Sequence, residues 1–258
     1  MAKAKKKPAA RSASKSSAPR AASASRRRYA ATAKQLSLAR IAQMERRLAR
    51  LEDVHAVRTL HFKYGYYIDM CLYDEACDLF AEHGAVRFLN GLFKGKSGVR
   101  RLYCDWFRKT FTKGHNGPVF GFLLDHLMLQ DIVTIAPDRK TAKMRVRALN
   151  MIGYHDKKPE PLEHMPQQFW GGGIYENVYV RESGVWKIKL LDYIGRWQAP
   201  YEQGWAHSSG HLPPFEKTWP ENPIGPDEIL PDMPYGWPET SVVPFHYRHP
   251  VTGRPWNP

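Results

Sequence analysis

Cysteine is scarce in this chain: Cys71, Cys77 and Cys104 are the only three in 258 residues. Three cannot all pair, and no two stand at CxxC spacing. A disulfide framework and a zinc cluster are therefore disfavoured, and a reducing, cytoplasmic setting is the expectation. No run approaches the ~20 apolar residues that a membrane-spanning helix needs, so no membrane association is expected. Gly-x-Ser-x-Gly is absent, and no cysteine has an obvious base near it, which removes the commonest nucleophile signatures. Gly171-Gly172-Gly173 has no helix pattern after it and is not a phosphate loop; it suits tight entry of the chain into a strand. His207, His211, His246 and His249 are scattered in loop-like sequence without carboxylate spacing, so no metal and no cofactor are expected.

Acidic residues are missing from residues 1–34, which hold eleven Lys/Arg, one aromatic and no Leu, Ile or Val. Of the formal net charge of +14, only +3 remains for the rest of the chain. The basic character thus belongs to a tail, and a nucleic-acid partner is expected only through weak contacts of that tail. Such a segment buries too little apolar surface to offset its chain entropy and reads as disordered. No apolar stretch follows Arg26-Arg27-Arg28, which argues against a secretory or twin-arginine signal. An organelle transit peptide would have a similar composition.

Beyond the tail, hydrophobic residues bring the chain's total to 43%, enough for a core. Helical periodicity begins near Gln35, where Ile41, Met44, Leu48 and Leu51 alternate steps of three and four. It continues through Val54, Val57, Leu60 and Tyr64 and ends near Asp69. The stripe over 36–52 suits a partner subunit or the chain's own domain. A second helix is predicted over 73–82, a short strand over 85–89, a turn at Asn90-Gly91, and a helix over 96–112 with Ser97 as N-cap. Four segments with strand character follow, at 123–135, 141–154, 173–181 and 186–195. Residues 155–170 read as a loop. The Pro-, Trp- and Tyr-rich residues 201–258 read as an ordered wrap, too aromatic for a solvated tail and too rich in proline for regular structure. Helices followed by antiparallel strands indicate an α+β fold. A curved sheet folded around helices encloses a cone with one open mouth, a natural small-molecule pocket.

Three stretches resemble the NTF2-like superfamily in its SnoaL-like and scytalone-dehydratase-like branch. The first is Tyr64 to Asp69 followed by YDEACDLFAEHGAV. The second is Asp125-His126-Leu127. The third is IYENVYVRESGVWKIKLLDYIGRW, with Asn177 at a pocket position. The resemblance spans roughly residues 50–200 and implies a domain over 35–200. It also implies a cone-shaped cavity and cofactor-free chemistry by Asp69 and His126. The end VVPFHYRHPVTGRP and the aromatic richness are similar to bacterial lyases acting on lignin-derived diaryl compounds, which release formaldehyde from a diarylpropanediol and form a stilbene. Two positions depart from the dehydratase pattern: Asn150 stands where a second histidine is expected, and Phe88 where a tyrosine is expected. Loss of water by a two-histidine route is therefore disfavoured, and a related reaction with other acids and bases is expected.

The candidate residues each have two readings. Asp69 is a desolvated general acid or base, or a solvated helix-end aspartate. His126 is a satisfied core histidine, or an imidazole oriented by Asp69. Asn150 and Asn177 are buried amides that bond either the backbone or a ligand oxygen. Tyr64, Tyr67, Tyr103 and Trp106 are core, or line the cavity with phenols and rings, as does Tyr175; Tyr67 is also a candidate proton donor. Arg147 pairs with a phenolate or lies on the surface. Two functions are carried forward. One is a cofactor-independent lyase, of the dehydrating or deformylating type, for a phenolic aromatic alcohol. The other is a non-catalytic binding or assembly protein that works through its basic tail. A homo-oligomer, dimer or trimer, is expected in either case.

Overall fold

The computed structural model describes residues 18–158, 165–208, 212–231 and 235–256. The chain divides into two units, Met1–Ala49 and Arg50–Pro258. The described part of the first is the N-terminal portion of a single long helix, α1, Ala18–Asp69. Here the structure departs from the disordered tail expected up to residue 34, because residues 18–34 are helical. Alanine, arginine and lysine are strong helix formers, and extending a helix costs far less than nucleating one. Residues 1–17 of the expected tail lie outside the described residues.

In the second unit, α1 ends where Cys71 adopts a left-handed φ of 52°, unusual for a residue other than glycine. The Leu72 amide then donates to the Tyr67 carbonyl at 2.8 Å. Helix α2 is short, Tyr73–Asp78, because β1 starts at Phe80 and runs to Phe88. The hairpin turn to β2, Gly91–Lys94, is Leu89-Asn90, one residue earlier than predicted. The predicted 96–112 helix is three segments: α3 Gly95–Arg100, a π-helical turn Arg101–Phe107, and α4 Arg108–Thr112. Ser97 lies inside α3 and is not its N-cap; the Lys94 amide is bonded instead by Asp227 from the C-terminal extension, at 2.7 Å.

Strands β3 Phe122–Ile135, β4 Thr141–Tyr154, β5 Gln168–Glu182 and β6 Val185–Pro200 lie where strand character placed them, each longer than or equal to its prediction. The open, curved sheet has the order β3-β4-β5-β6-β1-β2-β7. The last strand, β7, is only Glu228–Ile229 of the extension. All neighbours are antiparallel except β1 and β6, which are parallel. The core lies between the second half of α1 (Val57, Tyr64, Ile68) and the inner face of the sheet (Val86, Met144, Ile188). The expected α+β fold with a curved sheet around helices is the fold observed.

Gly172 and Gly173 sit within β5, not at its entry. A Cβ at Gly172 would run into the Trp197 indole, and one at Gly173 into the Tyr193 ring. The glycines let those two rings of β6 lie across the neighbouring strand.

Asp53 fastens α1 to the far ends of the hairpins. It accepts from Arg139 at 2.5 Å, from Arg181 at 3.2 Å and from the Trp186 indole at 3.2 Å. Burial alone would raise its pKa, but hydrogen bonds from Arg139 and Trp186, and the charges of Arg139 and Arg181, outweigh burial and hold it below 3.8. A depressed carboxylate contributes stability above its unfolded pKa and loses it as pH falls through the folded value. Removing one partner of a buried ion pair is costly. Asp53→Ala is therefore expected to destabilise by about 3–5 kcal/mol at neutral pH, with a smaller difference from wild type in acid, read from denaturant midpoints at both pH values.

Candidate active site

Two chain features bring a carboxylate to an imidazole. Asp69 is the last residue of α1, and His126 lies on β3. The side chains of Leu124, His126 and Met128 share one strand face by alternation, while Leu123 and Leu127 point the other way and are exposed. The Asp69 Oδ1 atom meets His126 Nδ1 at 2.7 Å and also accepts the His126 backbone amide at 3.1 Å. The two side chains are 9% and 12% exposed, so water competes little for the contact. With Nδ1 donating to a carboxylate, a neutral imidazole carries its proton there and leaves Nε2 as a base.

His126 forms part of the wall of a cavity of about 390 Å³, within the range of small-molecule sites. Phe107, Leu124, Ile152 and Leu191 supply apolar wall. The polar groups are few. Tyr64 and Tyr103 share a hydroxyl–hydroxyl hydrogen bond of 2.9 Å. Burial pushes both phenols well above their ordinary pKa, and the neighbouring Tyr103 adds to the rise at Tyr64. Each therefore keeps its proton, and the pair has one O–H left to donate to a ligand. Tyr175 is raised in the same way by burial.

On the sheet side, Asn150 Nδ2 donates to the Tyr193 hydroxyl at 2.7 Å. The Asn150 Oδ1 atom is buried without a partner among the described residues, an acceptor awaiting a ligand donor. Burial pushes Tyr193 up to about 12 against the lowering hydrogen bond from Asn150. Arg87 of β1 and Arg196 of β6 are cations in the same wall. Arg87 contacts Asp192 at 3.3 Å, whose carboxyl burial raises although Arg87 lowers it.

Several residues singled out from the sequence stand elsewhere. Asp69 reaches the cavity only through His126. Tyr67 is half-buried against the core, outside the cavity wall. Trp106 stands one layer back, its ring 5.3 Å from Phe107 and 5.5 Å from Phe88. Arg147 is exposed beside a separate groove on the other side of the sheet. Asn177 is 1% exposed and faces the protein interior. It donates to His61 Nδ1 at 3.2 Å and to the Tyr179 hydroxyl at 3.1 Å, and accepts the Asp192 amide at 3.0 Å. Asn177 therefore braces the strand bearing Asp192 and presents no atom to the cavity. His61, Arg87, Asp192 and Tyr193 were not candidates from sequence. None of them had a signal in the sequence: the alternation that buries Trp186 and Ile188 changes phase where Leu191 and Asp192 are both buried, so the inward place of Tyr193 could not be read from it.

His61 is fully buried, and burial pushes its pKa down from 6.5 to about 3. A histidine kept neutral in the folded state is protonated first in the unfolded chain, so stability falls as pH drops below 6.5 and stops falling near 3. The slope in that window is expected to be about 1.4 kcal/mol per pH unit steeper in wild type than in His61→Gln, measured by denaturant unfolding between pH 6 and pH 4.

The SnoaL-like domain model matches residues 49–192. No curated protein matches the chain. Among solved structures, the chain is similar to a provisionally named scytalone dehydratase from Novosphingobium aromaticivorans. The identity there is 19%, over 59% of this chain and 89% of that one, with a TM-score of 0.45. It is also similar to the hexachlorocyclohexane dehydrochlorinase LinA-type3 from Novosphingobium barchaimii, at 15% identity over 65% of this chain and 99% of that one, with a TM-score of 0.48.

Proposed function

The chain belongs to the SnoaL-like domain family, and from that membership and the chemistry of its cavity we propose that it is a cofactor-independent lyase acting on a phenolic aromatic alcohol. The observation that carries this reading is the Asp69–His126 contact at the wall of a mainly apolar cavity. A proton carrier with a fixed orientation, in a place that excludes most water, is what elimination from a neutral alcohol requires.

The substrate class that fits is a phenolic 1,2-diarylpropane-1,3-diol, bound as its phenolate. Imidazolium His126, stabilised by Asp69, gives its Nε2 proton to the benzylic hydroxyl. The C–O bond breaks, water leaves, and the phenolate electrons complete a neutral quinone methide. Neutral His126 then takes the proton of the terminal hydroxyl. The C–C bond to that carbon breaks, formaldehyde leaves, and the electron pair restores the phenolate of a stilbene. One water and one formaldehyde leave per turnover, and His126 ends protonated as it began.

The remaining cavity groups have consistent roles in this scheme. Tyr64 and Tyr103 hold their protons too tightly to give them up, so the one O–H that their mutual bond leaves free acts as a hydrogen-bond donor to the departing oxygen. Arg87 offers the phenolate a counter-charge. Asn150 Oδ1 and the Tyr193 hydroxyl form an acceptor–donor pair for a second hydroxyl. The three cysteines are free thiols, in keeping with a cytoplasmic setting.

Incubating the full chain with such a diol should yield a stilbene, followed by its absorbance, and equimolar formaldehyde. His126→Ala should lower kcat about 10²–10⁴-fold. Asp69→Asn should lower it at least about tenfold with little change in KM, because it disorients the imidazole without touching the substrate. An alkene without formaldehyde would reassign the reaction to plain dehydration. Absence of turnover on phenolic benzylic alcohols, or full activity in His126→Ala, would refute the assignment.

A further inference from the structure

The apolar stripe of α1 has no part in the cavity, and its flanks carry a pattern of charge that selects a partner. Ile41, Met44, Leu48 and Leu51 follow one another at steps of three, four and three, the spacing of a coiled-coil seam. They are 49%, 60%, 57% and 66% exposed, a continuous apolar line in water. Preceding seam positions hold Lys34 and Ser37, and just beyond Leu51 the helix turns Asp53 and Val57 into the buried core. The seam is thus confined to residues 41–51. Along one flank run Arg40 and Arg47, and along the other Glu45 and Glu52, all exposed.

We infer that this segment is the self-association seam of the protein: α1 of one copy pairs with α1 of a second copy, parallel and in register. Parallel alignment sets Arg40 of one helix against Glu45 of the other and Arg47 against Glu52, on both sides of the seam. Antiparallel alignment sets each flank against its own kind, arginine facing arginine and glutamate facing glutamate. Like charges held side by side oppose association, so the flanks reject that arrangement while favouring the first. A second copy of the chain meets the requirement by construction, since it brings the same apolar line and the complementary flanks. A seam of three helical turns gives a reversible, concentration-dependent pairing. The inference does not depend on the chemistry assigned to the cavity.

Single cysteines at the two ends of the seam read out both pairing and direction in the full chain. Ile41→Cys and Leu51→Cys, made separately, should each form a covalent dimer on mild oxidation, well above the background of the unsubstituted chain. An antiparallel pair cannot bring both positions to their own copies. Within either cysteine background, Arg40→Glu with Arg47→Glu, or Glu45→Arg with Glu52→Arg, should lower the cross-linking yield about tenfold, and mixing the two reversed chains should restore it. The substitutions are on exposed positions, and an unchanged circular dichroism spectrum checks that each variant is folded. Cross-linking at neither position, at one only, or at both without sensitivity to charge reversal would overturn the inference. A dimer that persists by light scattering without cross-links would assign association to another surface.

Discussion

The chemistry proposed for this molecule depends on where α1 stops. Asp69 is its last residue, and the left-handed turn at buried Cys71 ends the helix there. Because the same Asp69 oxygen accepts both the ring nitrogen and the backbone amide of His126, the strand's position and the imidazole's orientation are set together. Single contacts of this kind rarely hold a side chain firmly, but two on one oxygen fix both the ring and the tautomer.

The rest of the cavity follows from two packing facts. In the π-helical turn Arg101–Phe107, Tyr103 and Phe107 stand four residues apart and so share one face, which is part of the cavity wall. The glycines of β5 leave space that the Tyr193 and Trp197 rings occupy, which aligns Tyr193 with Asn150. Neither feature stabilises the fold on its own account. A π turn and glycines inside a strand both weaken regular structure, and each supports a polar group facing the cavity.

Much of this could be read from residue patterns, and the exceptions have physical causes. Strand character between turn residues located β3 to β6, and the helical stripe located α1 from residue 35, because those signals are local. The meeting of Asp69 and His126 followed from a family resemblance and not from spacing, since nothing local couples residues so far apart in sequence. The helical state of residues 18–34 escaped a compositional argument that weighed burial and ignored propagation from a helix already formed. The roles of Asn177 and His61 were hidden for another reason. A buried amide can face a cavity or the interior with the same sequence around it, and the choice was made by His61 one layer behind the wall. The parallel pairing of β1 with β6, and the anchoring of α3 by Asp227, are contacts between distant segments that no local pattern encodes.

The central claim is that Asp69 holds the proton of neutral His126 on Nδ1 and leaves Nε2 facing the ligand. Nitrogen-15 NMR of the full chain labelled at histidine tests it most directly, at a pH where this imidazole is neutral. The account predicts a protonated Nδ1 and an unprotonated Nε2 for His126, with Nε2 shifting on addition of a phenolic diaryl ligand, and loss of that tautomer preference in Asp69→Asn. A proton found on Nε2 in the wild-type chain, or a tautomer indifferent to the Asp69 substitution, would contradict it.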